Sequence, residues 1–370
     1  MIPIIEFVLG VAVLVYSAEK LIGHLVGISS RWAISLFLIA VVFTGIEFDD
    51  LAFGVVLNVE GLRQVALGTV IGTTIAMTGI VLALAAIVAP CRVDVPKDYL
   101  VLFVAAPVVM FALALSGVLT LLTGVVLVVL FVAFVGWIGF REYASRRPVF
   151  RNAELYEQLE KVGGGGGTAT MTPHGGGDTP AAGPGGTGSR HGFAGFDLPT
   201  DLRIDQGFLK ARRRSPWAGL AFAVFALAGL VVGAFVAARG TDGILDTFEI
   251  GGTVFGVTIA TLALSLEDIF LTVEPARRGA PEIGVANVIG SVVFSVTGKL
   301  GIVLLVGGMI TVDRDVLTWH LPVLVVMTAF SAVFLATGRL RRWHGIVLLA
   351  LYVAYFGVSL VAFGEVPLDD

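Results

Sequence analysis

The 370-residue chain is 56% hydrophobic and only 14% charged, with a mean hydropathy of +0.94 and a formal net charge of −4. That composition excludes a water-soluble globular domain, since long uncharged runs of about 20 residues fit membrane-spanning helices. The single cysteine, Cys91, excludes an intramolecular disulfide, a redox pair and a Cys-rich metal site.

In chain order the hydropathy predicts an all-α polytopic membrane protein with ten spans, at roughly 2–18, 33–58, 64–89, 99–115, 118–140, 216–238, 251–275, 282–309, 317–337 and 343–363. The opening MIPIIEFVLGVAVLVYSAEK lacks a basic n-region and a small-residue cleavage site, so it reads as the first span rather than a removed signal. Ser116-Gly117 is a thin turn, and a single kinked or re-entrant helix over 99–140 is the alternative there. Five spans precede residues 141–215 and five follow. That central segment turns abruptly polar, and GGGGGTATMTPHGGGDTPAAGPGGTGSR has too few apolar residues to build a core, so a largely disordered tether is expected. The segment contains no Gly-Lys-Ser/Thr phosphate loop. Its basic edges, Arg146-Arg147 and Arg212-Arg213-Arg214, read as topology signals.

Lysine and arginine set the orientation. Arg63, Arg239 and Arg314 fall on one set of alternating loops, while Lys20, Arg31, Arg92, Lys97, the basic residues from Arg141 to Arg214, Arg277, Arg278, Arg339, Arg341 and Arg342 fall on the other. The positive-inside rule makes the second set cytoplasmic, with both termini outside. Two five-span halves on either side of a cytoplasmic loop enter the membrane in opposite senses. Such inverted repeats are common among secondary transporters, whose substrate sites lie near the midplane between the repeats.

The second span carries Glu47, Asp49 and Asp50 in an otherwise apolar run, and carboxylates at bilayer depth point to function. A shift of 218 residues lays TGIEFDD (44–50) over LALSLED (262–268) and VALGTVIGTT (65–74) over IGVANVIGSV (283–292). Asp49 then falls on Glu267, Asp50 on Asp268, Thr69 on Asn287, Thr73 on Ser291 and Gly61 on Gly279. The first half, 1–140, thus holds a repeat motif at 44–76 and the second, 216–370, a repeat motif at 258–294. On a helix Glu47 and Asp50 share a face, as do Ser265 and Asp268. Carboxylates, hydroxyls and an amide are hard oxygen ligands suited to calcium and acceptable to sodium. Five acids so close cannot all stay ionised without bound cations, so protonation and metal binding are expected to alternate.

Thr69, Thr73, Asn287 and Ser291 read equally as ligands or as helix–helix hydrogen-bonding groups. Lys299 lies 12 residues beyond Asn287, about 18 Å along a helix, and is expected to snorkel outward. His24, His320 and His344 have no clustered partners in sequence, so a histidine metal site is not expected.

These blocks resemble the paired α-repeats of the calcium/cation antiporter superfamily, the sodium/calcium exchanger membrane region. There each repeat carries a Gly-Thr-Ser-x-Pro-Glu type motif followed by Gly-Asn-x-x-Gly-Ser-Asn. The resemblance implies that the essential glutamate positions are Asp50 and Asp268, the first asparagine positions Thr69 and Asn287, and the small hydroxyl positions Thr73 and Ser291. The chain departs from the pattern at several places. Asp replaces Glu at both key positions, Asp49 and Glu267 stand where the family has Pro, Glu47 replaces a hydroxyl residue, and Thr74 and Val292 replace the second asparagine.

The implied protein is an antiporter without cofactor that exchanges calcium, or a similar divalent cation, for sodium or protons. Asp50 and Asp268 are its central ligands, with Glu47, Asp49 and Glu267 as further ligands or as proton and sodium carriers. Its expected partners are inorganic cations and the bilayer, with no nucleic acid and no obligate protein partner. The alternatives are a transport-inactive sensor or scaffold on the same fold and an intramembrane aspartyl hydrolase, whose Tyr-Asp, Gly-x-Gly-Asp and Pro-Ala-Leu motifs the chain lacks. A prokaryotic plasma membrane is the expected location.

Overall fold

A computed structural model describes residues 2–29, 47–93, 95–145, 216–277 and 281–363. Ten helical runs follow one another in it. They are α1 (Ile2–Ser29), α2 (Phe48–Val59), α3 (Arg63–Ala76, continued through Met77–Val81 and Leu82–Val88), α4 (Lys97–Ala114) and α5 (Leu121–Ser145). After the central segment come α6 (Pro216–Phe248), α7 (Gly252–Phe255, Gly256–Ala260, Thr261–Arg277), α8 (Pro281–Val293, Phe294–Lys299, Leu300–Gly307), α9 (Val316–His320, Leu321–Ala336) and α10 (Arg342–Phe363). Eight of these are long and apolar enough to cross a membrane, and Ile2–Ala18 is a shorter apolar stretch. The chain is an integral, multi-pass membrane protein. The expected disorder of 141–215 from residue 146 onward, and the first part of the span expected at 33–58, lie outside the described residues.

Several expected boundaries are corrected. The first span of each half is longer than its apolar run: α1 continues to Ser29 rather than ending near 18, and α6 to Phe248 rather than 238. Hydropathy follows the apolar slab, whereas the backbone hydrogen-bond ladder carries on past its edge. The two spans expected over 99–140 are two separate helices rather than the alternative single kinked one, because Gly117 takes φ +76, a left-handed conformation that glycine adopts without penalty.

The 218-residue shift holds in three dimensions. It moves the end of α2, Val59, onto the end of α7, Arg277, and the start of α3, Arg63, onto the start of α8, Pro281. In α3 and in α8 the VIG block is followed within one turn or so by a π-helical segment, Met77–Val81 and Phe294–Lys299. These two helices are the centre of the molecule, each with 89% of its apolar span buried, against 22% for α5 and for α10 at the periphery. Leu122, Val129 and Val132 on α5, with Ile346, Val353 and Val361 on α10, present the apolar face that lipid requires.

Small residues set the closest approaches. Phe7 lies against Gly240, Gly10 against Ala237 and Leu14 against Gly233, so α1 and α6 run antiparallel with backbones in contact. Gly68 meets Thr253 and Gly256, and Gly72 meets Val257 and Thr261, so α3 and α7 run parallel.

Two short antiparallel ribbons tie the halves together. β1 (Cys91–Arg92), between α3 and α4, pairs with β4 (Arg339–Leu340), between α9 and α10. β2 (Val118–Leu119), between α4 and α5, pairs with β3 (Ile310–Thr311), between α8 and α9. Exchanging the halves exchanges the ribbons. Because β1 and β2 flank α4, a helix of about 27 Å, the same exchange swaps the two ends of the molecule, as an inverted repeat requires.

Candidate cation site

The site is built where the first turn of α2 meets the π segment of α8. Glu47 has left the helical conformation (φ −74°, ψ 87°) and caps α2, with its carbonyl accepting the Leu51 N–H at 2.8 Å. Asp49 and Asp50 stand in the first turn. Free backbone N–H groups and the helix dipole favour carboxylates there by about 0.3–1 kcal/mol each. Glu47, Asp49 and Asp50 are all buried.

Alpha-8 supplies their partners from one face. The Ser295 hydroxyl donates to Glu47 Oε2 at 3.2 Å. Four residues on, the ammonium of Lys299 pairs with Asp50 Oδ2 and donates to Thr73 Oγ1 on α3 at 3.3 Å. The lysine stem passes Gly54, one turn beyond Asp50, where an added methyl would stand 3.7 Å from Cε. The expected outward snorkel of Lys299 is therefore overturned, since the residue is 0% exposed. The acids therefore have a base among them. The relevant distance is sideways from α8 to α2, not along α8 from Asn287.

The second acidic block has a different backbone. Ser265, Glu267 and Asp268 lie within a helix that runs unbroken from Gly252 to Arg277, its one irregularity the π segment Gly256–Ala260. Asp268 and Ser265 are buried, whereas Glu267 is partly exposed. The charge on Asp268 is opposed by those of Glu47, Asp49, Glu267 and Asp50. Asn287 on α8 reaches α7 through Thr272 Oγ1 at 3.4 Å.

The expected hydroxyl ligands divide into two groups. Thr69 and Thr73 donate within α3, to Ala66 O at 2.9 Å and Thr69 O at 2.8 Å, which leaves the lone pairs of Thr69 available, whereas Thr73 already accepts from Lys299. Ser291 Oγ, Ser265 Oγ, Asn287 Oδ1, Glu47 Oε1 and Asp50 Oδ1 are buried without a hydrogen-bond partner. Unmade bonds at buried polar atoms cost about 1–3 kcal/mol each. These five oxygens fall on residues that the sequence marks as ligands, while Asn58 Oδ1, Ser331 Oγ and the Tyr352 hydroxyl are in the same condition elsewhere. Among the described residues, no three carboxylate, imidazole or thiolate groups converge closely enough to chelate one ion. Sequence reasoning missed Ser295 and misplaced Lys299, although Ser291, Ser295 and Lys299 follow at four-residue steps on one helix face.

Burial leaves an unbalanced charge. Glu47, Asp49, Asp50 and Asp268 are buried with one buried base, Lys299. Fully ionised, the four acids exceed it by three negative charges, which an apolar interior does not hold without further cations or protons.

The comparisons with known proteins agree with this architecture. The family model described as sodium/calcium exchanger protein matches residues 2–140 and 218–361. The sodium/calcium exchanger MaX1 of Methanosarcina acetivorans is 24% identical over 367 residues, covering 95% of this chain and 96% of that protein. The inner membrane protein YrbG of Escherichia coli is 28% identical over 137 residues, 37% of this chain and 40% of its own length. Among solved structures, the sodium-calcium exchanger NCX_Mj soaked with 2.5 mM Na+ and 0.1 mM Ca2+ superposes with a TM-score of 0.57 at 20% identity, covering 96% of this chain and 98% of that one. With its two matched segments taking in both halves, the chain belongs to the sodium/calcium exchanger protein family.

Proposed function

We propose that the chain is a secondary-active antiporter that exchanges calcium, or a similar divalent cation, for sodium or protons by alternating access. The observation that carries this reading is the set of buried carboxylates from both halves, outnumbering the buried base and edged by unpartnered oxygens. Hard oxygens in excess negative charge suit a divalent cation or several monovalent ones. An inverted pair of halves meeting at that cluster gives two nearly equivalent ways to open it, one to each side of the membrane. MaX1 and NCX_Mj are both named as sodium–calcium exchangers, which favours this ion pair. The basic residues around the central segment support a cytoplasmic loop with outward termini, and the inner-membrane relative supports a prokaryotic plasma membrane. The family is one of transporters, and the chain is not an enzyme, which sets aside the aspartyl hydrolase.

Calcium-45 uptake into proteoliposomes, driven in parallel by an outward sodium gradient and an outward proton gradient, tests the proposal. Uptake under one gradient, lost in Asp50→Asn and Asp268→Asn, is expected and names the counter-ion. Uptake unchanged in those variants would sink the assignment. One observation favours a second reading, a transport-inactive sensor on the same fold: an ammonium already rests on Asp50. Absence of flux for calcium, manganese and magnesium alike would favour it.

A further inference from the structure

The two halves of the site are related by the 218-residue shift, and at one pair of positions the relation breaks down. Lys299 corresponds to Val81, and both are fully buried in π segments that follow a VIG block. The first-half carboxylate, Asp50, is thus covered by an ammonium supplied by the opposite half. The residue that the same shift assigns to Asp268 is the aliphatic Val81. Ser295, which binds Glu47, likewise corresponds to Met77.

We propose that Lys299 is a resident cation, tethered to α8 and occupying one of the two cation positions that the repeat creates, so that only the position on the Asp268 side is open to mobile ions. An ammonium is a compact monovalent charge with three donors and no acceptor. It occupies the place of a coordinated metal ion between oxygens: Asp50 Oδ2 on one side and Thr73 Oγ1, at 3.3 Å, on the other. Asp50 Oδ1, Glu47 Oε1, Asn287 Oδ1, Ser265 Oγ and Ser291 Oγ stay buried without a partner beside it, and these are the oxygens left for mobile ions. A side chain cannot cross the membrane with the cargo. With its proton retained by the Asp50 pair, its charge is a constant of the cycle, and each divalent ion is exchanged against one fewer mobile monovalent charge than a site without the lysine requires. The inference deepens the exchanger reading by fixing its stoichiometry, and it rests on that reading.

The test compares the full chain with Lys299→Met, which keeps the stem and removes the charge. Equilibrium binding of sodium-22 and calcium-45 to purified protein counts the ions, and reversal potentials in proteoliposomes count the charge moved. Lys299→Met is expected to bind one more sodium per chain at saturation, and the Hill coefficient of its sodium dependence is expected to rise by one. Equal sodium counts in the two proteins would overturn the proposal. If Lys299→Met is unstable in choline buffer, sodium at the same ionic strength is expected to restore a monodisperse protein. If sodium does not restore it while Asp50→Asn/Lys299→Met folds normally, Lys299 is a structural counter-charge and the proposal fails. Silent wild-type proteoliposomes would count against the exchanger reading alone, because the sodium count needs no transport.

Discussion

Asp50 and Asp268 hold matching places in the two halves, yet their settings differ in each respect the fold controls. Asp50 stands in the first turn of α2, where the Lys299 ammonium meets it, whereas Asp268 stands within the unbroken α7 with no base paired to it among the described residues. The repeat places two carboxylates at one spacing, and the lysine at a single position of α8 makes one of them a partner in an ion pair. The comparison teaches that equivalent ligands in a repeat need not be energetically equivalent. Neutralising one should leave a buried base unpaired, and neutralising the other should remove repulsion.

The largest expected effect follows directly. Asp50→Asn strands the buried Lys299 ammonium, and breaking a buried pair from one side costs about 3–5 kcal/mol. Asp268→Asn strands nothing and separates no pair. In cation-free detergent Asp50→Asn is expected to melt well below wild type, and Asp268→Asn at or above it. Equal losses in the two variants would show that Lys299 does not distinguish the halves.

The repeat can next be broken at its contacts. A methyl added at Gly256 would sit 2.6 Å from the Val65 carbonyl oxygen and 2.9 Å from the Gly68 backbone, where neither side can give way. Overpacking of that kind costs about 1–3 kcal/mol. At Gly54 the nearest atom is a Val303 methyl 3.3 Å away, on a side chain that can move. Gly256→Ala should therefore lower the melting temperature clearly and Gly54→Ala little. The reverse order would mean that α3 and α7 are not in backbone contact.

Much of this was legible in the residues. The class follows from hydropathy, and the register of 218 residues already carried the alignment of α2 with the end of α7 and of α3 with α8. The acids and their oxygen-bearing neighbours stood out because charge is rare in apolar runs. What the residues did not disclose were relations across sequence distance. Lys299 and Asp50 are 249 positions apart, and only packing of α8 beside α2 makes them neighbours. The π segments leave the hydrophobic pattern intact while shifting the helix face, and the two-residue ribbons are too short for alternation to register. The ends of α1 and α6 lie beyond their apolar runs, where hydropathy has nothing to report.

A smaller effect separates two serines on α8. Ser295→Ala removes the hydroxyl that binds Glu47, and a hydrogen bond to a charged group contributes about 1.5–3 kcal/mol. Ser291 Oγ lies beside Glu47 without the well-formed hydrogen bond that Ser295 makes, so Ser291→Ala should leave cation-free stability nearly unchanged while weakening calcium binding. A loss of cation-free stability in Ser291→Ala would assign that hydroxyl to packing rather than to the ion.

The central claim is that carboxylates from both halves form one cation site, and calcium-dependent melting tests it most directly. A ligand at 100 times its Kd stabilises the state that binds it by about 2.7 kcal/mol, enough to move a melting curve. Calcium is expected to raise the melting temperature of wild type, and the rise is expected to vanish both in Glu47→Gln, from the first half, and in Asp268→Asn, from the second. A rise of wild-type size in either variant would show that the halves do not share one site and would contradict the account.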